Sequence, residues 1–287
     1  MLYAGLDLGS QESFLHVMDR RGKKMSSSRV PMTRAAMRKA FEGYVGGGIC
    51  VAIEAGGVTR WVHDYLYELG AREVYVVNPN KVRLIAESRK KTDKVDAKLL
   101  AELYRLDGLP ERVHMPSARA RELRMLIKAR NGLVEARTKL LNTARGFLRG
   151  QGVGLPARYL VTVSHWEKVM KNKILDEATL LVLASYRGSF LGLTASLKEI
   201  EAEISRRAKA DKRVDNLKSV PGIGIHSATA LVSAVDDIRR FQSGKHLASY
   251  CGLAPSVRNS GERQMSGHIN RQGRSEVRRT IVQAAHV

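Results

Sequence analysis

LYAGLDLGS at residues 2–10, answered by SFLHVMDR at 13–20, decides how this chain begins. Both are short apolar runs bounded by polar turns, so they read as two strands of an antiparallel pair. A weaker run, KKMSSSRV at 23–30, follows the Arg21-Gly22 turn and extends the pair to a meander. Working outward, TRAAMRKAFEGYV (33–45) is helical, ICVAIEA (49–55) is a buried-strand run, and a second helix falls near Arg60–Leu69. VYVVN (74–78) is a further strand, and a helix runs from about Asp93 to Arg105. Three antiparallel strands followed by strand–helix crossovers make a mixed α/β sheet.

That order is the layout of an RNase H-like domain, placed at residues 1–110, and it gives a purpose to four carboxylates. Asp7 and Glu54 end apolar strand runs, where side chains alternate faces. Asp93 and Asp96, in KTDKVDAKLL, are three apart and share a helix face. Carboxylates gathered this way in a basic chain call for a cation. They can hold two Mg²⁺ ions that together stabilise the attacking and leaving oxygens of an in-line phosphoryl displacement. Each has an ordinary reading as well. Asp93 can be a helix N-cap with Asp96 at N3, Asp7 part of a turn at Gly9, and Glu54 a solvated strand end before Ala55-Gly56-Gly57. The order of all four on these elements favours the joint reading.

Composition points to a charged partner. The 287 residues carry 49 Lys+Arg against 28 Asp+Glu, a net +21, with a pI near 10.3, which is the electrostatic footprint of a protein that binds polyanions. Nucleic acid is the expected partner. No segment approaches the roughly 18 uninterrupted apolar residues of a membrane span, and the N-terminus lacks the layout of a signal peptide. The expectation is a cytoplasmic protein with no membrane partner. Cys50 and Cys251 are too few for a disulfide framework and wrongly spaced for zinc.

From Ser117 the pattern changes to long helices, and residues 111–210 form the second expected region. Leu126, Leu133, Leu140 and Phe147 recur every seven residues, with Ile127, Val134, Leu141 and Leu148 one position on. This doubled stripe argues for a coiled coil or a long helical hairpin. After Gly150–Pro156 a second stripe runs through Leu183, Tyr186, Phe190, Leu193, Leu197, Ile200 and Ile204. The two helices can pack antiparallel within one subunit or pair between subunits. Arg130 and Arg137 belong to a crowd of cations on the first helix and are candidate nucleic-acid contacts.

Residues 211–287 form the third region, expected to be mainly α. LKSVPGIGIHSATALVSAVDDIRRF places Pro221-Gly222-Ile223-Gly224 between two helices, a helix-hairpin-helix signature. Gly222 and Gly224 let the backbone approach a phosphate without reading sequence. A plain packing corner is the alternative. Lys245, Arg258, Arg263, Arg271 and Arg274 follow as candidate backbone contacts with salt-dependent affinity. At 6% aromatic residues, base stacking is not the main grip.

HLASYCGLAPSVRNSGERQMSGHINRQGRSEVRRTIVQAA, residues 246–285, completes a resemblance that covers almost the whole chain. With LDLGS, AIEAGG and KTDKVDAKLL, it resembles the IS-one-ten family of insertion-sequence transposases, which includes Piv-like DNA invertases. The resemblance implies a DEDD recombinase in which an RuvC-like metal site (Asp7, Glu54, Asp93, Asp96) works with a serine of the C-terminal domain. That serine aligns with Ser260, and the implied intermediate is a phosphoserine linkage to DNA. It also implies donor and target DNA recognised through a structured noncoding bridge RNA, and homodimers that pair into tetramers. On the residues alone, Asn259-Ser260-Gly261 reads as a turn. Ser256 and Ser266 are the neighbouring serines to distinguish from it. His226, His246 and His268 are the other conceivable bases, each with an ordinary surface or packing reading. The family's second serine is replaced here by Asn259, and its Ser-Lys-Arg-Gly stretch by Asn270-Arg271-Gln272-Gly273. The closing EVRRTIVQAAHV reads as an amphipathic helix without cap or tail, as in a short or truncated family member. Two other readings stand beside this one: an RNA-independent DNA invertase or Holliday-junction resolvase, and a non-catalytic nucleic-acid-binding scaffold.

Overall fold

The computed structural model of the chain describes residues 1–85, 92–260, 263–270 and 273–286, with the backbone alone from 257 to 266. Two compact units result, Met1–Met115 and Pro116–Val287.

The first unit runs β1 (Leu2–Leu8), β2 (Glu12–Asp19), β3 (Lys24–Pro31), α1 (Arg34–Phe41), β4 (Ile49–Glu54), α2 (Thr59–Glu68), β5 (Glu73–Val77), α3 (Pro79–Ile85) and α4 (Asp93–Arg105). Its five strands are ordered β3-β2-β1-β4-β5. β2 pairs antiparallel with β1 and β3, while β4 pairs parallel with β1 and β5. This is the mixed sheet expected from the sequence. Alternation sorts the side chains: Ala4, Leu6, Leu15, Val17, Val51, Ile53, Val74 and Val76 are buried in one core with Met37 and Phe41 of α1 and Val62 and Leu66 of α2. On the other face, Ala52 and Val77 pack with Leu100 of α4 and Val82 of α3. Cover on both faces is why β4 reads as an unbroken apolar run. The unit extends to Met115 because residues 110–115 run on along β5: Val113 N–H donates to Val76 O at 2.8 Å, and Val113 and Met115 pack on the main core.

Helix α4 lies directly on β1. A Cβ at Gly5 would stand 2.0 Å from Ala97 O, 2.7 Å from Ala101 N and 2.9 Å from Leu100 Cβ. Two of these are backbone atoms, which cannot step aside as a side-chain tip can. Gly5→Ala is therefore expected to cost about 3 kcal/mol, the upper part of the overpacking range. Urea unfolding measures this, and an unchanged midpoint would contradict the close approach of helix and strand.

The second unit comprises α5 (Ala118–Gly150), α6 (Val163–Met170), α7 (Glu177–Ala208), α8 (Lys212–Lys218), α9 (Ile225–Val235), α10 (Gly244–Tyr250), β6 (Pro255–Ser260), β7 (Arg263–Ile269) and α11 (Ser275–Ala284). α5 and α7 are antiparallel within the chain. Gln151 donates to Asp176 Oδ2 at 2.9 Å, the Phe147 and Tyr186 rings lie 5.7 Å apart, and Arg130 donates to Glu201 at 2.7 Å. Arg207 closes the far end on Glu122. On α7 the buried positions Leu183, Phe190, Leu197 and Ile204 recur every seven residues, and Ala208 is buried beyond them. Of the two arrangements left open by the stripes, the intrachain antiparallel one is present. Among the described residues α7 is also the one helix whose length and composition would suffice to cross a membrane. Its buried side chains instead meet Ala144, Leu148 and Trp166 at one end and Ile127 and Ala230 at the other.

α8 and α9 pack through Val214, Leu217, Ala228 and Val232, on either side of the Pro221–Gly224 turn. The mainly α expectation for residues 211–287 holds, with one hairpin that it does not include. β6 and β7 form an antiparallel hairpin that pairs Ser260 with Arg263.

Candidate active site

The four carboxylates all belong to the first unit, and strand register fixes where two of them stand. β1 and β4 pair Leu6 with Ile53 in parallel, so Asp7 and Glu54 are the next residues on adjacent strands. Parity puts both on the face that carries Gly5 and Ala52, which α4 covers. The direction of α4 places the other two. Its Tyr104 ring meets Tyr3 at 5.8 Å and Tyr75 at 5.4 Å, and the Tyr104 hydroxyl donates to Glu73 at 2.7 Å. The C-terminal turn of α4 therefore lies at the starts of β1 and β5. Ala97 crosses Gly5 midway along β1. Asp93 and Asp96 consequently stand at the end of the face where β1 and β4 deliver Asp7 and Glu54. Asp7, Glu54 and Asp96 are half-buried, and Asp93 is exposed.

Local chemistry holds these positions. Thr59, itself buried, donates its hydroxyl to Glu54 O at 2.7 Å and accepts Gly56 N–H at 2.7 Å. This ties the Ala55–Gly57 turn to the end of β4. The N-cap of α4 is Thr92, whose hydroxyl accepts Val95 N–H. The ordinary reading of Asp93 as the cap is thus corrected: a threonine does that work one residue earlier. Asp93 and Asp96 both lie in the first turn, where the helix dipole favours negative charge.

Hard oxygen donors of this kind suit Mg²⁺. Among the described residues, however, no three carboxylate, histidine or cysteine side chains stand close enough to enclose an ion. Mg²⁺ tolerates so sparse a donor set, since it keeps several waters and is commonly held by one or two carboxylates plus substrate phosphates. Beside the carboxylates the same face carries a basic flank. His16, opposite Gly5 on β2, is buried and meets Ser27 Oγ at 3.3 Å. Burial first, then Lys98, Lys24 and Lys94, hold its pKa below the ordinary histidine value. Lys94 and Lys98 stand one turn apart on α4, a pairing that the sequence pattern does not single out.

The remaining expected site residues belong to the second unit. Ser260 is the last residue of β6, next to the hairpin connection; its side chain, with those of Arg258, Arg263 and Ser266, lies outside the described atoms. Arg271 lies outside the described residues altogether. Ser256 is occupied: its hydroxyl donates to His268 O at 3.0 Å across the hairpin. Gly222 has φ +82°, and a Cβ there would lie 2.4 Å from Ala284 O, so it is needed for packing against the end of α11. Gly224 caps α9 without a side-chain hydrogen bond and has open space beside it. Arg130 is held by Glu201, which also stands 3.7 Å from His226. Burial and Arg130 lower the His226 pKa. Arg137 and Arg274 are half-buried, and Lys245 is exposed.

Comparison with known proteins agrees with this architecture at both ends. A transposase model of the DEDD IS110 type matches residues 4–151, and the model described as "Transposase IS116/IS110/IS902 family" matches residues 214–287. The "Probable family 20 transposase" of Pseudomonas aeruginosa is 28% identical over 286 residues, covering 98% of this chain and 82% of that protein. The transposase for insertion sequence element IS1111A of Coxiella burnetii is 24% identical, covering 82% of this chain and 65% of its own length. The pilin gene-inverting protein of Moraxella bovis is 28% identical over 224 residues, covering 74% of this chain and 59% of that protein.

Proposed function

The chain belongs to the IS116/IS110/IS902 family of transposases, and on that premise we propose that it cleaves and rejoins DNA strands through a phosphoserine linkage at Ser260, with a Mg²⁺-binding carboxylate site in an RNase H-like unit. The observation that supports this best is the placement of Asp7, Glu54, Asp93 and Asp96 at one end of one sheet face.

Bound there, Mg²⁺ would neutralise charge on the phosphate and on its entering and leaving oxygens. Asp7 and Glu54, on rigid strand ends, set the position of the site. Asp96 and Asp93 approach from the first turn of α4, which Gly5 allows to lie against β1. Ser260 supplies the attacking oxygen. Its Oγ–P bond forms as the strand's P–O bond breaks, the serine proton passes to a base, and the departing strand oxygen takes up a proton. The reverse sequence on a second strand rejoins DNA and frees the serine, so the phosphodiester energy is retained.

The basic surface suits donor and target DNA and a structured guide RNA. In such a system base pairing carries the sequence while the protein holds backbone and shape. The long helices α5 and α7 are the proposed assembly elements for a homodimer and for a tetramer built from two such dimers, with a helix-hairpin-helix at α8–α9. A cytoplasmic location follows from these partners.

The similarity to a pilin gene-inverting protein favours a second reading, an RNA-independent invertase. One experiment separates the two. The full chain, purified with its bound nucleic acid, is incubated with DNA carrying the element ends and Mg²⁺. Rejoined strands are expected, and they should be lost on chelation with EDTA and on prior RNase treatment. Activity that survives RNase selects the invertase. Activity that survives EDTA removes the metal from the reading.

A further inference from the structure

The second unit contains a cavity of about 410 Å³ where α5, α9 and the start of α11 meet, lined by Arg124, Lys128, Asn131, Ser233, Arg274 and Arg279 among others. Two carboxylates also reach it: Glu135, 3.4 Å from Arg279, and Glu276, 3.9 Å from Arg274. Four cations therefore face two acids. Lys128 has no ion-pair partner among the described residues.

The positive excess is built in. Arg124 donates Nε to Ser233 O at 2.7 Å and Nη2 to Ala234 O at 3.0 Å, so the last carbonyls of α9 fix its guanidinium. Burial lowers its hold on its proton, and Arg274 and Arg240 lower it further. Arg240 is itself locked against the Phe241 and Tyr250 rings at 4.7 Å each, with Nη1 buried and without a hydrogen-bond partner. Arg274 and Arg240 repel the Arg124 charge, Asp236 offsets part of that repulsion, and an anion seated among them would relieve more of it. The first turn of α11 borders the cavity, and its N-cap, Arg274, makes no side-chain capping bond. Its leading N–H groups thus add donors of the kind that phosphate takes.

We propose that this pocket seats a phosphodiester of a nucleic-acid strand, gripped by Lys128, Arg274 and the α11 N-terminus over the fixed Arg124. Its floor makes no use of Ser260 or the carboxylates, so it is a holding site separate from the chemistry. The residual charge disfavours an apolar ligand.

The inference rests on nucleic acid being the partner, and its test runs in EDTA so that strand chemistry plays no part. Binding of the full chain to a mixed-sequence DNA duplex and to a structured RNA is measured by fluorescence anisotropy across a salt series. Removing one phosphate-binding cation makes the fall of log affinity with log salt shallower by about one. Lys128→Gln is expected to reduce the slope by about one, and Lys128→Gln with Arg274→Gln by about two, while Lys128→Arg keeps it. A reduced slope with only DNA or only RNA supports the pocket and names its strand. An unchanged slope with both probes overturns it. So does an equal fall in Lys173→Gln, an exposed charge away from the cavity, because that would make the effect diffuse. Lys128→Gln removes no intrachain ion pair, which keeps the test independent of folding.

Discussion

Replacing Ser260 with alanine is expected to abolish the covalent protein–DNA adduct and to lower strand rejoining by at least about 10⁴-fold, the scale on which nucleophile deletions fall. The variant removes one oxygen. Ser260 takes part in β6 through its backbone pairing with Arg263, which alanine preserves, so RNA and DNA binding should be retained. Ser256 supplies the internal control. Its hydroxyl already spans the hairpin to His268 O, and Gly267 lies so close that a Cβ there would stand 2.5 Å from Ser256 Oγ. That serine is accounted for by packing. Ser256→Ala should therefore weaken the hairpin while leaving the adduct chemistry in place. Gel-shifted, protease-sensitive DNA reports the adduct, and peptide mapping locates it. An adduct that persists in Ser260→Ala and disappears in Ser266→Ala would move the nucleophile to the other strand.

The first unit is legible in the sequence because each of its signals is local. β4 is an unbroken apolar run, α4 has helical spacing from Asp93 to Arg105, and the three-strand meander has short polar turns. The role of Gly5 is not legible: a glycine inside a strand signals a close approach without saying what approaches. Only the fold shows that Ala97 does. The β6–β7 hairpin escapes the sequence for a different reason. PSVRNS and RQMSGHI carry no apolar alternation, and their pairing rests on backbone hydrogen bonds that leave no periodic trace. Asn259-Ser260-Gly261 does signal a turn. Charge is harder still to read in detail. Arg130 counts as a free cation in the sequence, yet Glu201 holds it within the α5–α7 hairpin. Conversely, Arg124, Lys128, Arg274 and Arg279 come from segments about 150 positions apart in the sequence, and nothing in their spacing announces that they share a cavity.

Asp7→Asn is the sharpest test of the carboxylate site, because it changes charge and almost nothing else. Asp7 is half-buried at the end of β1 beside Glu54, and asparagine keeps its size and one of its acceptor oxygens. Strand cleavage is expected to fall by at least about 10³-fold, the scale of losing several kcal/mol of charge stabilisation from a metal-assisted transition state. Mg²⁺ should raise the melting temperature of the wild type as it occupies the site, and that of Asp7→Asn less. Asp93→Asn, exposed on α4, should follow the same pattern with a smaller difference. A scaffold with an inert fold would show neither the activity loss nor the Mg²⁺-dependent rise in melting temperature. Full activity in Asp7→Asn would show that the four carboxylates are an accident of helix capping and strand ends.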